Sequence, residues 1–562
     1  GRRHGFEFDF DVGYDDDGRV LGVTIDLIAN AGFSADLPRL DTVKLGIAVA
    51  SNTVDRSVEA QLIDAQIEAA ALHLVADSAQ TLSTETESLA VIEGESGSAA
   101  QAALALGGTF AWNQLLGAVQ ARIEGSQVDT SAAEADAGEV LVQARNASSL
   151  GSVTSAGTSV TGAAGSAGGA SLAFNAVGWD MGNVAAAGLN ALIGSDVGFT
   201  ALPLETLAEV RASDVKAGAD LSLSAEDAIE LVASISNASE ASSGDAPSEL
   251  SVGAAAVLAS NRVRSNTRAL IAGAVPAEGG SLDAIVAGGS ISVRASDAAR
   301  IEASVTMSAV AAAAGGSSVA VGGIVVRNDL RNEVLASIER VTLLAGADLV
   351  VEALSLTAIS AELSGEVRAS SEAGPADGGA PVAAPGAASS DAAPGSDQPV
   401  AEDQAPVAEP ATEPVAGGGA VAANGLIATN LILSQVEALV RDSVLAVVGD
   451  GTVAAENEST LDASNSAVTE SSASAVGATL AFNTIGWQPQ NLFANAVDAL
   501  LGSSIGDEQP ALTRAAIVAT AFSAGGDVSV TAGAFDAEDG TPAGAHIAAM
   551  ISNEAAASAD AA

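Results

Sequence analysis

Asp9, Asp11, Asp15 and Asp17 are the side chains whose type and spacing come nearest to a binding constellation in this chain. Carboxylates gathered on one short stretch can hold calcium through their oxygens. An EF-hand loop, however, sets acids at positions 1, 3 and 5 with a glutamate at 12, and that spacing is not met here. The competing reading is a solvated hairpin. Phe6, Phe8 and Phe10 alternate with Glu7, Asp9 and Asp11, Asp15-Asp16-Asp17-Gly18 forms a turn, and Val23, Ile25 and Leu27 alternate again. Other chemistry is sparse. His4, His73 and His546 are scattered, and without cysteine there can be no disulfide, thiolate nucleophile or Cys-based metal site. No nucleophile elbow, P-loop, dinucleotide fingerprint or His-Glu-x-x-His occurs. The few arginines offer no counterpart to the basic, acidic and calcium-bearing groove of β-helix polysaccharide lyases. The sequence therefore predicts a protein without enzymatic activity and with no cofactor other than calcium.

Charge narrows the partners. Seventy acids stand against 21 bases, a formal charge of −49, and only Lys44 and Lys216 are lysines. Nucleic-acid binding needs clustered Lys and Arg on phosphates, so it is excluded as a class. Such a surface is soluble and self-repelling, and salt or divalent cations screen it, as an extracellular setting would. Two uncharged stretches, 303–326 and 414–436, are long enough for membrane spans. Both are rich in Gly, Ser and Ala and both contain a repeat whose other copies carry charges, so no membrane span is expected. The first residue is Gly and no signal peptide is visible, which reads as a processed product or an excerpt of a longer chain.

The elements that would position any site are set by a repeat. An apolar residue, a small residue, any residue and then Asn recur seven times, ending at Asn52, Asn113, Asn175, Asn261, Asn328, Asn430 and Asn483. In five copies an inward-type trio follows, for example Thr267, Ala269 and Ile271, or Val334, Ala336 and Ile338. A second pattern, a Gly-containing turn and then aliphatic-x-aliphatic-x-Ala, appears as Val140-x-Val142-x-Ala144, Leu221-x-Leu223-x-Ala225 and Ile291-x-Val293-x-Ala295, among others. All of this has period two, the mark of strands with one buried face. Aromatics make up only 3% of the chain, so the core is thin and suits closely spaced β layers.

Strands recurring at a fixed interval predict an all-β, elongated parallel β-solenoid (a β-helix) of about 60-residue units. At roughly 20–25 residues per coil and about 4.8 Å per layer, three strands per unit predict a rod on the order of 100 Å long. The recurrent Asn is expected at a corner, bonding backbone groups or stacking on the next Asn.

Two copies share an insertion. Gly178-Trp179 and Gly486-Trp487 lie 308 residues apart, and each leads into a segment ending at Gly194 or Gly502. Helical spacing of Leu492, Phe493, Ala496, Val497, Leu500 and Leu501 predicts a short amphipathic helix in each insertion, with Trp179 and Trp487 as possible interaction anchors. Residues 373–417 hold eight of the 15 prolines and read as a disordered loop ejected from the stack. The expected organisation is thus a hairpin or cap, or the end of a preceding repeat, over 1–45, solenoid repeats over 46–372, the loop, and further repeats over 418–562.

The Val-Ala-x-Asn and Gly-x-Val-x-Val-x-Ala units resemble those of very large Ala/Gly-rich bacterial extracellular β-strand-repeat, or filamentous-haemagglutinin-like, adhesins. The Gly-Gly-x-Gly-x-Asp nonapeptide of calcium-binding RTX proteins is missing. The resemblance implies a secreted or surface-attached bacterial protein that forms a rod, filament or sheath through self-association or contact with other cell-surface components. A carbohydrate-binding or carbohydrate-active β-helix module and a calcium-dependent surface-layer component are the alternatives. With three Trp and one Tyr, the chain offers little for sugar stacking.

Overall fold

The structure, a computed structural model, describes residues 6–14, 20–29, 40–93, 102–131, 138–162, 165–181, 199–243, 250–275, 281–313, 316–371, 419–488, 507–508, 510–533 and 545–558. Two strands, β1 (Phe6–Tyr14) and β2 (Val20–Ala29), form an antiparallel hairpin, and β2 pairs antiparallel with Leu45–Ile47 of β3 (Leu40–Ile63). From β3 onward the chain winds in coils. Coil 1 continues through β4 (Gln66–Glu68), β5 (Leu72–Ser78) and β6 (Thr81–Glu93). Coil 2 is β7 (Ala102–Glu124), β8 (Gln127–Asp129) and β9 (Val140–Thr161).

Coil 3 opens with β10 (Gly165–Val177), is interrupted by the antiparallel pair β11 (Trp179–Met181) and β12 (Phe199–Ala201), and resumes with β13 (Leu204–Arg211), β14 (Asp214–Ala217) and β15 (Leu221–Ser243). Coil 4 is β16 (Leu250–Ala272), β17 (Asp283–Ala287), β18 (Ile291–Asp297) and β19 (Arg300–Ala313). Coil 5 is β20 (Ser317–Glu339), β21 (Val341–Ala345) and β22 (Leu349–Ser370). Coil 6 is β23 (Ala420–Arg441), β24 (Val444–Val447) and β25 (Gly451–Ser471). Coil 7 is β26 (Ser474–Ile485), the short pair β27 (Trp487–Gln488) and β28 (Asp507–Glu508), then β29 (Leu512–Val518), β30 (Ala521–Ala524), β31 (Val528–Gly533) and β32 (His546–Ala557).

Corresponding strands of successive coils pair in parallel, giving two long sheets that face each other and a short sheet joining them at one end. This is the layered parallel architecture of a β-solenoid. One unit of about 60 residues closes a single coil, which corrects the expected 20–25 residues per coil. The Asn segment and the apolar trio after it are two halves of one strand, because period-two alternation runs through both without a break: in β16, Ala259, Asn261, Val263, Thr267, Ala269 and Ile271 all face inward. At 21 to 24 residues the unbroken long strands extend roughly 70–80 Å, while seven coils rise only about 30 Å. The molecule is thus broad across its strands and short along the stack, not a 100 Å rod. The two expected helices lie in 182–198 and 489–506, outside the described residues, and the described residues contain no helix. The Pro-rich segment, in 372–418, is likewise outside them.

The interior is banded. Next to the short sheet, Val119, Ile123, Leu223, Ile271 and their stacked equivalents form an apolar core. A band of larger aliphatics (Leu115, Leu150, Leu231, Ile301, Leu330 and Ile432) crosses the middle, and an Ala- and Val-rich band fills the far end. Burying each Leu or Ile removes it from water for about 1.5–3 kcal/mol.

The turns are stacked too. Asp64, Ala212, Arg340, Asp442 and Ala519 hold φ between 47° and 54° at one repeat position, where the long strand bends into the short sheet. At the next bend Gly346 lies so close to its neighbour below that a Cβ would sit 2.1 Å from the carbonyl oxygen of Gly288. Glycine is therefore required there by backbone approach.

Candidate functional site

The seven repeated asparagines stand in one column on the inner face of the first long sheet, mid-strand and not at a corner. They are Cα partners coil by coil. Each side-chain amide nitrogen donates to the amide oxygen of the next: Asn52 to Asn113 at 3.0 Å, Asn113 to Asn175 at 3.0 Å, and Asn175 to Asn261 at 2.9 Å. The chain continues from Asn261 to Asn328 and from Asn328 to Asn430, both at 2.9 Å, and from Asn430 to Asn483 at 2.8 Å. The second amide hydrogen reaches across the core to a carbonyl of the facing sheet, as from Asn113 to Gly151 (2.7 Å) and from Asn483 to Ala548 (2.7 Å). The five interior members are fully buried. An amide offers two donors and an acceptor, so one residue type can satisfy itself indefinitely along a parallel stack. The ladder is directional, with its donor end toward coil 7.

Two lesser ladders run along the turns. Ser126, Ser213 and Ser443 each donate a hydroxyl to the carbonyl two residues earlier, and each accepts a backbone N–H from the coil before. Asp220, Asp348 and Asp450 each accept, on Oδ1, the backbone N–H of the residue stacked on them: Ser290 at 2.7 Å, Asp450 at 2.9 Å and Asp527 at 2.8 Å.

On the outer face of the same sheet the residues flanking the asparagines build a buried charge cluster. Arg262, Arg327 and Asp329 are all at most 4% exposed. Asp329 accepts from Arg262 (2.9 Å), Arg327 (3.2 Å) and Arg331 (2.8 Å). Burial alone would push its carboxyl up, but Arg331, Arg262 and Arg327 hold it far below the usual carboxylate range. The guanidinium carbons of Arg262, Arg331 and Arg264 lie 4.3, 5.0 and 5.5 Å from the centroid of Trp179, a cation–π geometry. Trp179 is 2% exposed, with the protein's own cations against its ring. Trp487, at the equivalent position of coil 7, is 37% exposed.

Of the proposed cation ligands, Asp9 and Asp11 lie on β1 opposite Asp26 and Thr24. Asp15 and Asp17 lie outside the described residues. Among the described residues no group of three or more His, Asp or Glu gathers in metal-binding geometry. His73 is half-exposed and pairs with Glu139 of the next coil. No helix among the described residues is long and apolar enough to cross a membrane.

The arginine–aspartate cluster was missed at the level of sequence, yet a signal existed. When the copies are aligned on their asparagines, Arg262 and Asp329 occupy the same position, opposite charges on consecutive copies, and alternation turns both outward. Comparison of the chain with protein-family models, with curated proteins and with solved structures finds no match.

Proposed function

We propose that this protein is a non-enzymatic structural element of a bacterial cell surface or extracellular sheath: a rigid, acidic β-solenoid segment that adheres to or assembles with its own kind. The observation that carries the reading is the continuity of the hydrogen-bonded stack. Seven coils are held in one register by an uninterrupted asparagine ladder, and the Trp179–arginine cluster ties coils 3, 4 and 5 on the outside. The buried amides of the ladder are satisfied by one another and by carbonyls of the facing sheet, which fits a mechanical role better than turnover. The charge of −49 supports a setting where salt or divalent cations screen repulsion between copies. Electron microscopy of native material with and without a chelator tests it. Ordered filaments or sheets support an assembly protein, and their loss in chelator adds calcium to the lattice. Monodisperse particles that hydrolyse a polysaccharide would refute the reading.

A further inference from the structure

Asp227 ends the inward run Leu221-x-Leu223-x-Ala225 of β15, and Asp297 ends the matching run Ile291-x-Val293-x-Ala295 of β18. The two are Cα partners on adjacent parallel strands. Both face the interior, at 3% and 0% exposure. Two carboxyl groups are therefore stacked about one strand spacing apart, ~4.8 Å, inside the core.

The groups facing them from every packed element are uncharged. β9 supplies Asn146, which donates to Asp227 Oδ1 at 2.7 Å, and Ser148, which donates to Asn146. β16 supplies Ser265 and Thr267, which donate to Asp297 Oδ2 at 2.7 and 3.4 Å. β20 supplies Asn332, whose amide nitrogen donates to Ser355 of β22 at 2.8 Å. No Lys, Arg or His among the described residues pairs with either aspartate.

Counting donors against acceptors leaves a deficit. Asp227 Oδ2, Asp297 Oδ1 and Asn332 Oδ1 are buried without a well-formed hydrogen bond: the backbone N–H groups of Ala228 and Ala299 and the Asn332 amide lie against the two carboxylates, while Ser148, Ser265 and Thr267 already direct their hydroxyl hydrogens elsewhere. A buried acceptor with no donor and a buried unpaired charge are each destabilising, and one added hydrogen removes one of each.

We propose that Asp227 and Asp297 bind one proton between them, so that the folded stack carries a carboxylic acid–carboxylate pair at neutral pH. The proton comes from solvent on folding and returns there on unfolding. Its donor is the hydroxyl of whichever carboxyl holds it, facing the orphan oxygens. The electrostatics agree. Burial first, and the neighbouring Asp297 second, push the Asp227 carboxyl well above its ordinary value; burial also raises Asp297 against the hydrogen bonds of Ser265, Asn332 and Thr267.

The sign of the linkage follows. In the unfolded chain both aspartates lose their protons near pH ~4. Above that the folded state binds one proton more, so this pair's contribution to stability is greatest in acid. It declines as pH rises toward the folded pair's own titration, by about tenfold in the folding constant per pH unit. The pair is an acid-favouring latch between coils 3 and 4.

Infrared spectroscopy of the intact chain at neutral pH, with the wild type and Asp227→Asn/Asp297→Asn, tests this directly. A protonated carboxylic acid carbonyl band is expected in the wild type, shifted by deuteration and missing from the double variant. The double variant should also lose about one proton of pH dependence in its folding equilibrium. A wild-type spectrum without that band overturns the proposal even if the variant fails to fold. Equal pH dependence in the two proteins also overturns it. So does a stoichiometric cation found by elemental analysis in the wild type and lost in the variant, which would make the pair a cation site.

Discussion

Replacing Asn328 with Ala cuts the asparagine ladder at its most enclosed point. Asn328 is fully buried, accepts from Asn261 and donates to Asn430, both at 2.9 Å. Its loss leaves one hydrogen on Asn261 and the oxygen of Asn430 without partners in the dry core. Each of these two unmet groups costs about 1–3 kcal/mol, so Asn328→Ala should destabilise the stack by roughly 2–6 kcal/mol. Asn52 is the control. It is half-buried at the first coil, and its ladder contribution is one donated bond to Asn113 at 3.0 Å. Water can reach it, so Asn52→Ala should cost about 1 kcal/mol.

Asn328→Ala/Asn430→Ala completes the design, because the second deletion removes a group already orphaned by the first. The double variant should be less destabilised than the sum of the singles by about 1–3 kcal/mol. Chemical denaturation followed by circular dichroism reads the wild type, the single variants Asn52→Ala, Asn328→Ala and Asn430→Ala, and the double variant, with hydrogen exchange localising the loss should a stacked array unfold in parts. Equal costs for Asn52→Ala and Asn328→Ala, or strict additivity in the double variant, would show that the ladder is a by-product of packing and not a source of stability.

Other perturbations address separate parts of the stack. Asp329→Ala leaves Arg262, Arg327 and Arg331 facing one another beside Trp179; a loss of about 3–5 kcal/mol by denaturation is expected, with quenching of Trp179 fluorescence altered. Because the Asp329 carboxyl is held below the ordinary range, its contribution should be complete above pH ~4, decline steadily as pH falls below that, and be exhausted once pH reaches its lowered folded value. Ala212→Gly and Ala519→Gly relieve left-handed backbone at φ 47° and 49°, and each should raise the melting temperature modestly, by about 0.5–1 kcal/mol of stability. Gly346→Ala drives a methyl into the Gly288 carbonyl, and hydrogen exchange should show faster opening between coils 4 and 5, with a cost of about 1–3 kcal/mol.

The strand content and the inward columns were legible because period-two alternation is a direct imprint of a pleated, one-side-buried strand. Val119, Ala121 and Ile123, or Val140, Val142 and Ala144, sit in the core that their spacing implied. The size of a coil was not legible. Nothing in the local pattern distinguishes a 10-residue strand from half of a 23-residue one, and the Asn looked like a break because a polar residue on a buried face normally marks an end. Asn261 is polar and interior at once only because another coil brings Asn328 to it, a fact held in register and not in any single copy. The same limit hid the Asp227–Asp297 pair and the Arg262–Asp329 pair, since each is made by two residues 70 and 67 positions apart that are unremarkable alone.

The strands of 21 to 24 residues give the stack a mechanical anisotropy. Force applied parallel to the strands would load some twenty hydrogen bonds of a coil interface together, in shear, and the interface would yield only when all of them failed within one event. Force applied along the stack and at one edge would open the same bonds singly, like a zipper. A surface layer made of such units should therefore resist stretching in one direction of its plane far better than peeling, and the direction of strength would be set by how the coils are laid down.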